Sequence, residues 1–466
     1  MSEVLLSELE RSSRIDAEFY AKENLAFLSK LEKFTIQSIT NFVRVSDGNH
    51  MSISESFSEM GIPYYRGQDI HHNFIENSSP ICINEATYSL PVMSRSHLKK
   101  GDILLSIVGT IGGLSLVTTN NKATCSCKLA ILRPKKGVNP NTIFIFLKSK
   151  YGQNQIKKFT RGAVQMGLIL EDMDQIKIPN FSIALQNKIE ALVSSAFEKL
   201  QKSKEAYQTA QNLLLEHLGL KDFNLSVKKV SIKSFADSFG TSGRLDAEFY
   251  QEKYERYLKK IQAYPNGCEP IKTACKLKDA NYTPKDNQTY QYIELSNIGN
   301  SGEITGASLD LGCNLPSRAR RKVSKNDVIV SSIEGSLASC AIVSEQYYQA
   351  LCSTGFYVVS SEKINSETLL MLFKSEPIQQ LLKQGCSGTI LTAINKDEFL
   401  NIPLPLVDVN IQTQIADLIQ QSNYLRIKSK GLLEKAKKAV ELAIEKDQES
   451  ALDFIKGKQT NDCNVH

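Results

Sequence analysis

The chain repeats one long stretch of its own sequence, and this duplication limits the folds open to it. Arg14-Ile-Asp-Ala-Glu-Phe-Tyr20 returns as Arg244-Leu-Asp-Ala-Glu-Phe-Tyr250, and five further segments return in the same order, at offsets between 224 and 230 residues. Solenoid repeats are about 20–50 residues long, so this spacing indicates two copies of a whole domain. The other matched segments are 98–106 with 323–331, 123–126 with 350–353, 147–149 with 373–375, 176–179 with 400–403, and 186–192 with 412–418.

The composition is that of an ordinary globular protein. Of its 466 residues, 41 % are apolar and 23 % are charged, and the length suits two or three domains. There is no apolar run of about 18 residues, so no membrane span is expected. The first residues lack the basic segment of a signal peptide. Ten scattered cysteines without a Cys-x-x-Cys pair argue against a zinc site and favour reduced thiols in the cytoplasm.

The charge is weakly basic and unevenly distributed. The net charge is +6. Lys and Arg number 28 against 22 Asp and Glu in residues 1–230, and 28 against 28 in residues 231–466, so the first repeat carries the whole surplus. A surplus of this size permits nucleic-acid binding without requiring it, and a solvated mixed surface explains it equally well.

The first part of each repeat has the pattern of strands and short helices. Residues 141–158 and 366–383 carry apolar residues at helical spacing. The pattern predicts an α+β fold in which each domain combines a mixed β-sheet with short helices. Apolar runs predict buried strands at 103–108, 128–132, 328–333 and 355–359.

Each repeat ends in one long helix. Apolar residues recur at three- and four-residue spacing from Leu185 to Leu214, and again from Ile411 to Val440. Gly219 suits the left-handed conformation that ends a helix. Such a narrow apolar stripe is typical of a helix that packs on another helix, and the two helices are expected to pair. Two independent surface helices are the alternative.

These patterns divide the chain into five segments. Two globular domains alternate with two long helices, and a short polar tail follows. The predicted segments are 1–182 for the first domain, 183–220 for the central helix, 221–408 for the second domain, 409–457 for the C-terminal helix and 458–466 for the tail.

No catalytic arrangement is recognisable. The Gly-x-x-x-x-Gly-Lys-Ser/Thr loop that binds phosphates is missing, as is the Asn/Asp-Pro-Pro-aromatic loop of an amino-methyltransferase. Gly109-Thr-Ile-Gly-Gly113 is rich in glycine, but its counterpart Glu334-Gly-Ser-Leu337 keeps one glycine, so a turn between strands is expected there. The sequence therefore favours a binding protein over an enzyme.

These features resemble the specificity subunit of type I restriction–modification enzymes, over about residues 11–457. The resemblance rests on the repeated Arg-x-Asp-Ala-Glu-Phe-Tyr, on the Asp-Ile or Asp-Val strand before a Gly-Thr-Ile-Gly-like turn, and on an Ile-Pro segment before a long helix. Gln186 and Gln412 match the glutamine of the family's Pro-Pro-Leu-x-Glu-Gln segment. The glutamate and the second proline of that segment are not kept in either copy.

The resemblance implies a non-catalytic reader of double-stranded DNA with a pseudo-two-fold fold. Two target-recognition domains would be separated by two long helices that pair as an antiparallel coiled coil. Each domain would read one half of a split site, and the helices would set the gap. Two methyltransferase subunits would dock on the chain, and translocating nuclease subunits would join them. The chain itself would need no cofactor, because S-adenosylmethionine, ATP and magnesium would bind those partners.

Base chemistry suggests which segments read DNA. In the first repeat Arg66 suits guanine and Gln68 suits adenine, each by two hydrogen bonds. At the matching place in the second repeat, Glu294 can accept from cytosine and Asn297 can pair with adenine. The chemistry differs at equivalent positions, as two different half-sites require. The alternative is that these residues cap a strand.

Basic residues elsewhere are candidates for phosphate contacts, because such contacts fix register without reading sequence, and the hydroxyls of Thr110 and Ser336 are candidates for contacts to bases or phosphates. The alternative for Lys99, Lys100 and the basic run 318–322 is a solvated loop. The candidates are Lys99, Lys100, Thr110, Lys157, Lys158 and Arg161 in the first repeat, and Arg318, Arg320, Arg321, Lys322 and Ser336 in the second.

The repeated Arg-x-Asp-Ala-Glu-Phe-Tyr needs a different explanation, because base-reading residues should differ between the halves. Arg14, Asp16, Arg244 and Asp246 are therefore candidates for docking the identical partner subunits. A structural role is the alternative, in which each aspartate caps the following helix and the aromatic pair packs the motif down.

Two other functions compete with a type I specificity subunit. One is the reader subunit of a related methylation-based phage-defence system, which a neighbouring methyltransferase gene would help to identify. The other is a duplicated assembly scaffold that does not touch DNA, for which the purified complex would fail to shift any duplex at low salt.

Overall fold

The protein is described by a computed structural model that covers residues 17, 19–70, 72–75, 80–162, 166–221, 223, 230, 232–388 and 392–457. The chain forms two compact units, whose borders lie between Leu200 and Gln201 and between Arg426 and Ile427. Each unit thus combines one repeat with one end of each long helix. The predicted segmentation treated the helices as separate spacers; the units divide inside them because each helix end packs into a core. The tail 458–466 lies outside the described residues.

The first unit alternates short strands with short helices. Its helices are α1 (Lys22–Leu31), α2 (Ile39–Phe42), α3 (Glu85–Tyr88), α4 (Pro140–Lys148) and α5 (Lys150–Phe159). Its strands are β1 (Ile36–Ser38), β2 (Val43–Asp47), β3 (Phe57–Ser58), β4 (Ile62–Tyr65), β5 (Ile81–Ile83), β6 (Ile103–Ser106), β7 (Leu114–Leu116), β8 (Thr124–Cys125), β9 (Leu129–Pro134) and β10 (Lys177–Pro179).

These strands form two four-stranded sheets and one short pair. One sheet has the order β2-β9-β6-β7 and is antiparallel throughout, with every side chain of β6 buried. The other has the order β3-β5-β4-β8, and its β4 and β8 run parallel. β1 pairs with β10, which brings the start of the globular part next to its end. The predicted mixed β-sheet is confirmed. The buried strand predicted at 103–108 is also confirmed, as β6.

The second unit repeats this plan after residue 230. Its helices are α7 (Phe239–Ser242), α8 (Glu252–Gln262), α9 (Ile271–Ala274), α10 (Ser366–Lys374), α11 (Glu376–Gln384) and α12 (Lys396–Asn401). Its strands are β11 (Cys268–Pro270), β12 (Lys276–Leu277), β13 (Thr289–Ile293), β14 (Ser308–Leu311), β15 (Ala319–Lys322), β16 (Val328–Ser331), β17 (Cys340–Ile342), β18 (Leu351–Ser353), β19 (Phe356–Ser360), β20 (Cys386–Ser387), β21 (Ala393–Ile394) and β22 (Pro403–Pro405).

The larger sheet of the second unit matches that of the first, and the smaller sheet matches in three of its four strands. The order β12-β19-β16-β17 reproduces β2-β9-β6-β7, and β11 pairs with β22 as β1 pairs with β10. The smaller sheet has the order β14-β13-β18-β15. Its β14-β13-β18 part matches β5-β4-β8 in order and direction, but its fourth strand, β15, lies beside β18, whereas β3 lies beside β5. The frame is therefore duplicated, and one outer strand of the smaller sheet has diverged.

A buried carboxylate begins the central strand in both units. Asp102 is 1 % exposed; it accepts a hydrogen bond from the backbone N–H of Lys99 at 2.8 Å and from Nε of Arg133 at 2.8 Å. Asp327 is 2 % exposed and accepts from the backbone N–H of Ser324 and from the Lys278 ammonium, both at 2.7 Å. A buried charge is stable only when it is paired and hydrogen-bonded. Because either an arginine or a lysine can pair with the buried carboxylate, the aspartate recurs in both units while its cation partner differs.

The two long helices are α6 (Ile183–His217) and α13 (Val409–Glu445), followed by α14 (Gln448–Lys456). Both begin where the sequence predicted, and Gly219 has the expected left-handed φ of 64°. In the first unit α6 and α13 run antiparallel, because Ser182 meets Gln448 while Ala196 meets Ser429. The predicted pairing of the helices is confirmed.

Small residues bring the helices close together. In the second unit, the Ser203 hydroxyl donates to the Ser422 carbonyl at 2.7 Å, and the Ser422 hydroxyl donates to the Ser203 carbonyl at 2.7 Å. In the first unit, the Ser429 hydroxyl donates to the Ala196 carbonyl at 2.7 Å. Serine side chains can reach a facing backbone only at short interhelical distance, so these bonds fix which residues face each other.

We expect Ser203→Ala and Ser422→Ala each to lower the free energy of unfolding by about 1 kcal/mol, the net value of one buried hydrogen bond. Chemical denaturation of both single variants and the double variant measures the loss and its non-additivity. Ser194→Ala is the matched control, because Ser194 is exposed on the same helix. Equal stability of all four proteins would contradict the role of the serines.

Candidate nucleic-acid interface

Four strands of the first unit end on the same side. β4 and β8 run parallel, while β2 and β6 both run antiparallel to β9. The segments that follow them are hydrogen-bonded to one another, as Cys127 N–H to the Asn49 carbonyl at 2.9 Å shows. We call the segments 47–51, 66–69, 107–113 and 126–128 the first loop end. This loop end brings together Arg66, Gln68 and Thr110, three of the predicted DNA-binding residues.

The second unit has an equivalent group of segments. β13 and β18 run parallel, and β12 and β16 both run antiparallel to β19. Ser332 N–H donates to the Gly355 carbonyl at 2.9 Å and so joins two of the segments. We call the segments 278–282, 294–297, 332–336 and 353–355 the second loop end. It holds Glu294, Asn297 and Ser336.

The two predicted reading segments have the same backbone. Arg66 has φ −119° and ψ 169°, and Glu294 has φ −120° and ψ 175°. Each begins a single turn of 3-10 helix, and the residue three positions later accepts its backbone N–H, Asp69 at 2.8 Å and Asn297 at 2.9 Å. Equivalent residues are thus Arg66 with Glu294, Gln68 with Ser296 and Asp69 with Asn297.

This equivalence bears on the prediction for Asn297. Its amide oxygen accepts the Glu294 N–H at 2.9 Å and caps the turn, so a group that a two-bond contact with adenine would use is already engaged. Arg66 is half-buried, and its Nε lies 3.3 Å from Asp69 Oδ2, which orients the guanidinium. Gln68 and Glu294 are both exposed, but Glu294 accepts a hydrogen bond from the Ser296 hydroxyl at 3.1 Å and takes part in the capping box of its turn. The capping alternative therefore applies to Asn297 and in part to Glu294, and not to Gln68.

The glycine-rich segment is the predicted turn, here between β6 and β7. Gly109 and Gly112 have φ of 82° and 87°, which favour glycine. A Cβ at Gly113 would lie 2.8 Å from the Ile70 carbonyl oxygen, so the two segments approach too closely for a side chain. The Thr110 hydroxyl donates to the Gly67 carbonyl at 3.2 Å and ties the turn to the Arg66 segment.

In the equivalent turn of the second unit, the Ser336 hydroxyl forms its hydrogen bonds within the turn and the strand before it. Ser336 Oγ lies 2.9 Å from Ser331 Oγ and 3.3 Å from the Ile333 carbonyl oxygen. Its hydroxyl is therefore occupied within the turn, which weakens the predicted DNA contact. Glu334 N–H donates to the Thr392 carbonyl at 3.0 Å, so this turn is held by the segment before β21 instead.

The predicted basic residues of the first unit do not form one surface. Lys99 and Lys100 are exposed, but they precede β6 and lie at the opposite end of that strand from the first loop end. Lys157 is exposed on the last turn of α5. Lys158 is 4 % exposed, with its ammonium 4.2 Å from the centre of the Phe19 ring. A buried ammonium over an aromatic ring stabilises the fold and cannot reach a phosphate, so this prediction is corrected.

Arg161 has a carboxylate partner. Its Nε donates to Asp172 Oδ2 at 2.9 Å, and its other nitrogens face the same carboxylate. The charge of this pair is already balanced, which reduces its attraction for phosphate. The pair closes the segment that returns from α5 to β10.

Strand β15 carries the basic cluster of the second unit. Arg318 is exposed, and its carbonyl accepts from Thr354 N–H at 2.9 Å at the second loop end. Arg320 donates from Nε to the Ser317 carbonyl at 3.0 Å, and Lys322 is exposed over the Tyr282 ring. Arg321 is half-buried and its Nη1 is fully buried, so it is a poor phosphate contact.

The buried thiols near the loop ends are poor nucleophiles. Burial raises the pKa of Cys125 and of Cys352, which keeps both protonated at neutral pH. Within the described residues no group of three or more His, Cys, Asp and Glu is arranged to hold a metal ion. No helix of the described chain has the length and apolar character to cross a membrane.

Comparison with known proteins identifies the repeat. The family model described as type I restriction modification DNA specificity domain matches residues 29–206 and again residues 269–438. The chain belongs to this family. It carries two DNA specificity domains, one per repeat, and it is the DNA-recognition subunit of a type I restriction–modification system. No curated protein matches the chain in sequence.

Solved structures from type I restriction–modification systems resemble the chain at low sequence identity. The type I restriction-modification S subunit from M. genitalium is 13 % identical, with 91 % of this chain and 96 % of that chain covered and a TM-score of 0.39. The HsdS subunit from Thermoanaerobacter tengcongensis is 12 % identical, with 91 % and 97 % covered and a TM-score of 0.28. A structure of type I R-M complex assembly and conformational transition is 13 % identical, with 91 % and 98 % covered and a TM-score of 0.29.

The repeated Arg-x-Asp-Ala-Glu-Phe-Tyr lies outside both matched ranges, and Arg14 and Asp16 lie outside the described residues. In the second copy, Arg244 donates to both oxygens of Asp246, at 2.8 and 2.6 Å. Its Nη2 also reaches the Cys386 carbonyl at 3.0 Å, and its guanidinium stacks on Phe249. The Arg244 guanidinium holds the pKa of Asp246 below its usual value.

The expected helix cap is wrong for Asp246. α8 begins at Glu252, its N-cap residue is Gln251, and no side chain caps it. Asp246 instead pairs with Arg244, and the motif is pinned to the end of α11. Both residues also line a cleft of about 720 Å³ that includes Glu334 of the second loop end. The contacts support the structural role, and docking of a partner stays a prediction.

Sequence reasoning missed one group of residues at the first loop end. Asp47, the last residue of β2, contacts both His50 and Arg95. Arg95 is 48 residues away in sequence, so no local pattern announces this group. The Asp-x-x-His spacing is the only trace of it in the sequence.

We expect Arg244→Ala to lower the free energy of unfolding by about 1.5–3 kcal/mol, because the charged guanidinium hydrogen-bonds both to Asp246 of its own motif and to the carbonyls of Gln384 and Cys386. Arg244→Lys should recover little of this loss, since lysine lacks the planar fork. Thermal denaturation compares these variants with the exposed control Arg318→Ala. An unchanged midpoint together with lost binding of partner subunits would favour docking instead.

Proposed function

We propose that each specificity domain reads one half of a two-part DNA site, and that the chain itself catalyses no reaction. One observation carries this proposal. The turns at Arg66 and Glu294 share one backbone conformation but present different side chains at equivalent positions. A common frame with different reading groups is what a site with two different halves requires.

The exposed side chains of these turns suit direct reading of bases. Arg66, held by Asp69, can donate two hydrogen bonds to guanine, and Gln68 can pair with adenine. Glu294 can accept from the amino group of cytosine, with Ser296 beside it. The exposed cations Lys99, Lys100, Lys157, Arg318 and Lys322 remain candidates for phosphate contacts.

The paired helices suit a spacer. α6 has 35 residues, which at about 1.5 Å per residue corresponds to roughly 52 Å. One turn of B-DNA is about 34–36 Å long, so a helix of this length exceeds the distance between adjacent major grooves. The serine bonds between α6 and α13 fix the helix register, and we propose that this register sets the gap between the half-sites.

Methyl transfer and cleavage would then belong to partner subunits. The resemblance implies two methyltransferase subunits and translocating nuclease subunits, in the cytoplasm where the DNA is. S-adenosylmethionine, ATP and magnesium would bind to those partners. The buried, protonated thiols near the loop ends support a role without chemistry of its own.

The decisive experiment is methylation mapping of genomic DNA from cells with and without this chain, in the presence of its partner subunits. The expected result is one bipartite adenine-methylation motif that depends on the chain. A matching methyltransferase gene without nuclease would indicate a related methylation-based defence system. If the methylation motifs are the same with and without the chain, and the purified complex shifts no duplex at low salt, the non-DNA-binding scaffold would be favoured.

Exchange of residues 44–180 for those of another family member should change one half-site only.

Within the domains, Gln68→Ala should relax base selection at one position of one half-site, and Glu294→Gln should alter it at one position of the other. Each loss of a good base contact is expected to cost about 1–3 kcal/mol of discrimination. Methylation mapping of each variant checks this, and a change in both halves from a single exchange would contradict the modular arrangement.

A further inference from the structure

We propose that His50 and Arg95, both held by Asp47, form a second base-reading element of the first specificity domain. This inference rests on the proposed reading of half-sites by the loop ends. It assigns a role to residues that no sequence motif marks, and it makes the first domain's reading surface wider than the Arg66 turn.

Asp47 organises the other two side chains. It is 8 % exposed, and it uses both oxygens: Oδ1 accepts from Arg95 Nη2, and Oδ2 lies 2.5 Å from His50 Nε2. The His50 side chain is 59 % exposed and that of Arg95 is 53 % exposed. A buried carboxylate thus fixes one edge of two side chains whose other edges face solvent.

The backbone beneath His50 is rigid. A Cβ at Gly48 would lie 2.3 Å from the Cys125 carbonyl oxygen, so the chain passes too close to β8 for any side chain. Asn49 is buried, and its amide accepts from Met51 N–H at 2.9 Å and donates to the Met51 carbonyl at 2.8 Å. Asn49 N–H donates to the Cys125 carbonyl of β8, and the Asn49 carbonyl accepts from Cys127 N–H just after that strand. Groups that read bases need such fixed positions.

The outer edges of the two side chains have the right hydrogen-bonding groups. With Nε2–H donated to Asp47, His50 presents Nδ1 as an acceptor for the amino group of adenine or cytosine. The remaining nitrogens of Arg95 suit guanine O6 and N7. Neither side chain makes another hydrogen bond or ion pair in the part of the chain that the structure describes.

The charge of the group argues for bases and against phosphates. The carboxylate of Asp47 balances the guanidinium of Arg95, so the group adds little net attraction for the DNA backbone. A carboxylate next to the contact also repels a phosphate, whereas base edges are neutral. Direct reading of bases uses hydrogen-bonding groups with a fixed orientation, and it needs no net positive charge.

The second domain lacks this group. Asp47 faces Ala130 across the sheet. In the second unit Leu277 faces Val359 and Lys278 N–H bonds to the Val358 carbonyl, so continuing this register places Asp279 at the position equivalent to Asp47. Asp279 pairs with Lys396 of α12, and no histidine is near it in sequence. The His50 and Arg95 group therefore belongs to the divergent part of the repeat, which suits one half-site alone.

Binding of the complete complex, with its partner subunits, tests the proposal. Duplexes carry the methylated motif or a single base-pair change at each position of either half. For Arg95→Ala and His50→Ala, the ratio of matched to mismatched affinity should fall about 5- to 150-fold at a position of the first half-site. Second-half discrimination should not change. Lys122→Ala is the matched control, since Lys122 is exposed and paired with the exposed Glu85 in the same unit.

Asp47→Asn tests the positioning role, because it keeps the shape and removes the charge. It should reduce discrimination at the same positions while the wild-type unfolding midpoint is kept within a few degrees. A uniform loss of affinity on all duplexes, with a smaller dependence on salt, would mean phosphate contact and overturn the proposal. Unchanged discrimination would also overturn it. If the wild-type complex recognised no bipartite DNA motif, the proposed function on which this inference rests would itself be wrong.

Discussion

The pairing of the two long helices is the constraint on which the rest of the structure depends. The core of the first unit includes Ile189 and Ala196 of α6 together with Ala436 and Val440 of α13. The core of the second unit includes Leu214 of α6 and Ile415 of α13, among other residues. Neither repeat buries its apolar face without a helix end from the other repeat's part of the chain. Because the helices run antiparallel and contact through serine hydroxyls, their register is set by hydrogen bonds and by small side chains rather than by apolar area alone.

Duplication leaves a common frame and two different surfaces. The buried carboxylates Asp102 and Asp327 keep the turn before the central strand in both units, although one is neutralised by an arginine and the other by a lysine. The smaller sheets share three strands and differ in the place of the fourth. The divergence thus lies in an outer strand of the smaller sheet and in the side chains of the loop ends. Selection on DNA sequence can act there without disturbing the helix contacts.

The sequence predicted those elements whose physical cause is local. The strands at 103–108 and 328–333 and the long helices follow from apolar periodicity, and the glycine turn follows from the loss of glycine in its counterpart. Side-chain roles that depend on distant partners could not be predicted. Lys158 looked like a phosphate contact because Phe19, which covers it, is far away in sequence. Asn297 looked like a base reader because its cap on Glu294 requires a turn that propensity does not reveal. Asp47 and Arg95 meet only through the folded sheet.

The position of the C-terminal helix has a consequence for biosynthesis. The core of the first unit needs residues 427–456, which the ribosome makes only after the second repeat. At about 5–20 residues per second, the stretch from residue 200 to residue 427 takes roughly 10–45 s to synthesise. During that interval the apolar residues of α6 that face Ala436 and Val440 have no partner. The repeat that is translated first is therefore completed last, and a chain that stops early leaves both halves without a finished core.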